Sequence, residues 1–113
     1  VENAARRQLF VSGTAAIRGH ATIAAGDLAG QLACTRENLH IIAATAGAGA
    51  DFGAADDWQR TLKVYIRHAR DLAAVSRDLD AHLLRPGDAV TYLLADLCRA
   101  DLLVEIEAVL TKE

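Results

Sequence analysis

Apolar and polar positions recur along this chain with two different periods, and the switches between them outline its elements. Leu9-Phe10-Val11-Ser12-Gly13 is a short apolar run of strand character ending in a glycine, and Thr14 to Ile17 is expected to continue the extended chain. Asp27, after Gly26, can accept hydrogen bonds from the N–H groups that open a helix. Leu28, Leu32, Thr35, Leu39, Ile42 and Ala46 then recur at steps of three and four, which predicts one buried helix face ended by Gly47 and Gly49. Ala48 to Asp57, rich in Gly, Ala and Asp, reads as a loop without a pattern of its own.

The period changes to two at Leu62, Val64 and Ile66, with Lys63, Tyr65 and Arg67 between them, as in a strand with one buried face. Leu72, Val75, Leu79 and Leu83 predict a second amphipathic helix, closed by the turn chemistry of Arg85-Pro86-Gly87-Asp88. Ala89 to Leu94 and Leu102 to Leu110 are two further strands, and Ala95 to Asp101 between them is too long for a tight hairpin. The order predicts an α+β fold: a single mixed sheet with two helices packed on one face. Leu102, Val104, Ile106, Ala108 and Leu110 share one face of the last strand, while Leu103 and Val109 lie opposite. Apolar residues on both faces suggest that the second face is also buried, most simply by oligomerisation.

With 113 residues, the chain has room for one core, and residues 1–113 are read as one domain. Its 52% hydrophobic and 24% charged residues suit a globular protein. A net charge of -3 argues against a nucleic-acid binder, which would carry a basic stripe. No apolar run approaches the ~18 residues of a membrane span, and no signal-peptide pattern opens the chain. Cys34 and Cys98 form neither a disulfide framework nor a zinc site, which fits a reducing cytoplasm. His68 and His82 lack partners at zinc spacing, so neither metal nor cofactor is expected. The chain has no methionine and opens at Val1, which is most simply a processed chain or a fragment of a longer one.

Three strings in order, Phe10-Val11-Ser12-Gly13, Leu72-Ala73-Ala74-Val75 and Leu103-Val104-Glu105-Ile106-Glu107-Ala108-Val109, resemble the RidA/YjgF family over nearly the whole chain. The resemblance implies an α+β fold that trimerises through its sheets and holds ligands in clefts between subunits. Imine-hydrolysing members of that family carry a carboxylate-binding arginine fifteen residues before the first glutamate of the last string, where this chain has Val90. A different branch fits better. Ser12-Gly13-Thr14-Ala15-Ala16-Ile17-Arg18-Gly19-His20, Gly26-Asp27-Leu28 and the run from Tyr92 to Glu105 resemble the C-terminal half of the chorismatases. That resemblance implies hydrolysis of the enolpyruvyl ether of chorismate, with the catalytic glutamate at Glu105. Gly13 and Cys98 match the branch that makes 3-hydroxybenzoate. The N-terminal half that shapes the pocket of full chorismatases is absent from this chain, so association with such a half-domain is the alternative to a homotrimer.

An enol ether resists water until its methylene carbon takes a proton, so the enzyme needs a carboxyl that still holds one near neutral pH. Glu105 stands between Val104 and Ile106, and apolar surroundings favour the uncharged form. Glu107, on the same face, would repel a second negative charge. Without the resemblance, both glutamates read as solvated residues of an edge strand. The resemblance implies that Cys98 joins Glu105 in the catalytic group and steers the ring chemistry; a lone cysteine otherwise reads as a small buried hydrophobe. Arg99 is the candidate to grip a substrate carboxylate with its bidentate fork, against a salt bridge to Asp96 or Asp101. Gly13, Tyr92, Arg18 and His20 complete the expected substrate-binding set, although Tyr92 also suits packing and His20 a plain loop position. Two other readings stay open: enamine or imine hydrolysis of the RidA type, which Val90 weakens, and a non-catalytic trimeric binding module.

Overall fold

The computed structural model describes residues 7–19 and 21–113. Strands β1 (Arg7–Thr14), β2 (Ile17–Arg18) and β3 (Ala21–Thr22) precede helix α1 (Leu28–Thr45). Strand β4 (Gln59–Ile66), helix α2 (Leu72–His82), and strands β5 (Ala89–Leu94) and β6 (Val104–Lys112) follow. Four strands form a mixed sheet in the order β1-β6-β4-β5, with β6 antiparallel to β1 and β4, and β5 parallel to β4. The parallel pair needs a crossover connection, which α2 supplies. β2 and β3 form a separate two-stranded ribbon. The extended run expected from Thr14 to Ile17 therefore breaks at Ala15 and Ala16, both buried beside Cys34 and Leu102 in a small second core.

Period-two alternation puts Leu62, Val64 and Ile66 of β4 on the same side as Val104, Ile106, Ala108 and Leu110 of β6, all buried. Leu32, Leu39 and Ala43 from α1 and Val75 and Leu79 from α2 pack into the same core, so both helices cover one sheet face. The entrance to α1 is capped as expected: Asp27 Oδ1 accepts from the Gly30 N–H at 3.2 Å. Its exit is a Schellman motif. Gly47, at φ +93°, donates to Ala44 O at 3.1 Å, and Ala48 donates to Ala43 O at 2.9 Å.

Two positions assigned to the buried face of α1 lie outside it: Ile42 and Ala46 are exposed, and Ala43 points inward instead. A helix of 3.6 residues per turn can leave Leu39 by a step of three or four. Here the small Ala43 takes the inward place and rotates Ile42 to the flank. The supposed loop from Ala48 to Asp57 contains a 3₁₀ turn over Asp51–Asp56 that inserts a fully buried Phe52. The last strand starts at Val104, two residues later than expected, because Leu102 N–H donates to Arg99 O in a turn.

The other sheet face carries no helix among the described residues and mixes Phe10, Leu93 and Val109 with Lys63, Tyr65, Glu105 and Glu107. Phe10 on that face is 61% exposed. No described helix is long and apolar enough to cross a membrane.

Candidate active site

A β-bulge builds the site. Val11 pairs with Ala108 and Thr14 with Ile106, so Ser12 and Gly13 together oppose the single Glu107. Thr14 Oγ1 donates to Ser12 O at 2.9 Å and ties the bulge to itself. Gly13 then lies directly against the Glu105 side chain. A Cβ at position 13 would stand 2.8 Å from Glu105 Cδ and closer still to Oε2. Gly13 does not have a positive φ, so it is the volume of the carboxyl group, and not the backbone conformation, that calls for glycine.

Glu105 is half-buried and faces a cleft of about 430 Å³. Gly13, Thr14, Ala15 and Ile17 form one wall, and Asn38, Ile41 and Ile42 of α1 form another. Cys98, whose thiol is exposed, enters from the segment before β6. Asn38 holds the two walls together: its Nδ2 donates to Ala15 O at 2.9 Å and Ile17 O at 3.1 Å. On the open sheet face beside the cleft, Tyr65 OH donates to Glu107 Oε1 at 2.6 Å. That hydrogen bond, with burial adding to it, raises the phenol's pKa above its ordinary value of 10.0. Among the described residues, no three His, Cys, Asp or Glu side chains stand together as a metal would require.

The structure thus brings Glu105, Cys98 and Gly13 into one cleft and leaves Arg99, Arg18 and Tyr92 out of its lining. Arg99 Nη1 donates to Thr22 Oγ1 at 3.2 Å and the residue does not line the cleft. Arg18 is ion-paired with Glu37 of α1, also away from the lining. Tyr92 pairs with Val64, which puts it on the helix-covered face, the opposite side of the sheet from Glu105. Its hydroxyl is buried without a hydrogen-bond partner among the described residues. His20 lies outside the described residues. Val90 also faces the helix side and packs against the main core.

Asn38 and Ile41 escaped the sequence reading, and Ile42 was read as core instead of cleft, although a signal was there. Two adjacent isoleucines cannot both point into the core from an amphipathic helix, so at least one must serve another apolar surface.

No family model matches the sequence. A 3-hydroxybenzoate synthase of Streptomyces hygroscopicus is 40% identical over 105 residues, covering 90% of this chain and 31% of that protein. A chorismatase crystal structure superposes with a TM-score of 0.74 at 36% identity, over 91% of this chain and 32% of that one. The chain is related in sequence to chorismatases. It spans about a third of the length of the curated relatives it matches (30–31%). RidA from a Psychrobacter species superposes with a TM-score of 0.73 at 21% identity, over 91% of this chain and 79% of that one. At that identity the likeness shows the fold alone, and the fold is that of the RidA/YjgF proteins.

Proposed function

We propose that this chain carries the proton donor of a chorismatase-type reaction, the cleavage of the enolpyruvyl ether of chorismate to pyruvate and a hydroxybenzoate-type product. Glu105 gives its proton to the methylene carbon, which becomes a methyl group and leaves an oxocarbenium ion at the ether carbon. Water adds to that carbon. The hemiketal then collapses to pyruvate, the ring oxygen leaves with a proton, and the proton surplus from water restores the acid. Where the ring goes on to 3-hydroxybenzoate, that water is given back by the ring, so chorismate yields pyruvate and 3-hydroxybenzoate with no net water. Cys98, in the same cleft, steers the fate of the ring.

The observation that carries this reading is the meeting of Glu105, Gly13 and Cys98 on one cleft, from three separate parts of the chain. The names of the relatives support the substrate class. None of the described residues lining the cleft is cationic, so we assign the group that meets the substrate carboxylates to a second copy of the chain or to a further part of a longer protein. No observation favours the imine-hydrolysing reading, since Val90 faces the opposite side of the sheet from Glu105. Mixing the folded protein with chorismate and measuring pyruvate tests the proposal. Release above the spontaneous rate is expected, and its absence from a folded sample contradicts the reading.

A further inference from the structure

Cys98 stands on an irregular segment, and irregular segments usually give poor control of side-chain position. This one is fastened unusually well. Ala95 N–H donates to Ile66 O at 3.0 Å and Arg67 N–H to Leu103 O at 3.1 Å, so both ends are tied to the end of β4. Between them the Arg67 side chain reaches along the segment. Its Nε donates to Leu102 O at 2.8 Å, and its Nη2 donates to Leu97 O at 3.2 Å and to Arg99 O at 2.6 Å. Leu97 and Arg99 are the residues on either side of Cys98. From the other direction the fully buried Gln31 of α1 donates to Asp101 O and accepts from Leu103 N–H, both at 2.8 Å.

We propose that Arg67 is a positioning residue that fixes Cys98 in the cleft it shares with Glu105. The proposal rests on the chorismatase-type reading, within which Cys98 steers the ring. Arg67 is suited to this because a guanidinium is a rigid planar fork with five donors, able to hold three carbonyls in one fixed arrangement. A lysine ammonium concentrates its donors at one point on a flexible stem and cannot span them. The exposed Asp96, 3.8 Å from Nη1, adds little to the hold.

Two readouts test it. The first is amide hydrogen exchange of residues 97–102 without substrate, in wild type and Arg67→Met. Exchange there is expected to rise at least about tenfold while β4 and β6 stay protected. Unchanged exchange overturns the proposal. The second is the ratio of hydroxybenzoate to other ring products from chorismate in Arg67→Met, Cys98→Ala and the double variant. Arg67→Met is expected to move the ratio in the same direction as Cys98→Ala, with the double variant within about twofold of Cys98→Ala alone. A ratio that stays at the wild-type value, or effects that simply multiply, makes Arg67 a structural clamp only and overturns the positioning role. If Arg67→Met fails to fold, Arg67→Lys keeps the charge and stem and takes its place. Wild-type protein that releases no pyruvate overturns the substrate reading and the positioning role with it, while the exchange experiment still decides separately whether Arg67 holds the segment.

Discussion

Gly13 and Glu105 occupy one space between them, and this contact is the most specific feature of the candidate site. Gly13→Val should fold, because valine suits an extended backbone, but its branches would take the volume of the Glu105 carboxyl. Pyruvate release from chorismate is expected to fall about a hundredfold, as for other small misplacements of a reacting group. Near-wild-type release would show that the contact is incidental. His40 makes a different kind of prediction. Burial, then the positive charges of Arg60 and Arg36, lower its pKa below 6.5, so the folded state favours the neutral ring. Its contribution to stability is therefore full above about pH 6.5 and is lost as the pH falls from there through the lowered folded value. Denaturant unfolding across that range should show a flatter acid limb in His40→Gln than in wild type. Identical limbs would contradict the assignment. Gly13 entered the sequence reading as a substrate-binding residue, and only the structure shows that the group lying against it is Glu105. The reverse holds for Arg99 and Arg18. Their charge suggested a carboxylate grip, yet Thr22 and Glu37, distant in sequence, engage them instead.

At the scale of elements, the periodicities at Leu62–Ile66 and Val75–Leu83 were readable because one side of each element is buried and the other wet, whereas Leu72, expected on the same buried face, is exposed at the first turn of α2. The turn over Asp51–Asp56 was not, because its hold on the core comes from residues far along the chain. Phe52 sits there with φ +51°, in the left-handed region that costs a non-glycine residue about 1 kcal/mol. Arg60, a charged residue on the buried face of β4, compensates. Its Nη1 donates to Phe52 O at 3.3 Å, its Nη2 to Leu83 O at 2.8 Å, and its Nε to Asp88 Oδ1 at 2.9 Å. One guanidinium thus joins the turn before β4 to the turn before β5. Arg60→Met would leave Asp88 without its charged partner and free both carbonyls, at an expected cost of about 3–5 kcal/mol. Equilibrium unfolding in urea measures it, and a loss below about 1 kcal/mol would show the cluster to be dispensable. The sequence offered no hint of this pairing beyond a charge at an even-numbered position of an apolar alternation.

At the scale of the whole molecule, the fold places a carboxyl, a thiol and an apolar wall around one cleft but supplies no cation among the described lining residues. That incompleteness fits a chain spanning about a third of the relatives it matches (30–31%). The open sheet face, with Phe10 projecting from it, offers a surface through which a second copy or a further part of a longer protein could bring the missing charge. The architecture was readable from sequence because a two-helix, mixed-sheet order leaves few arrangements. The closure of the site was not, because it depends on what lies across that face. The most direct measurement compares pyruvate release from chorismate by the wild-type protein and by Glu105→Gln, which keeps the side chain's size while removing its acid. Release by the wild type, with a loss of about a hundredfold or more in a folded Glu105→Gln, is the expected result. Equal release by the two proteins would contradict the assignment of Glu105 as the proton donor.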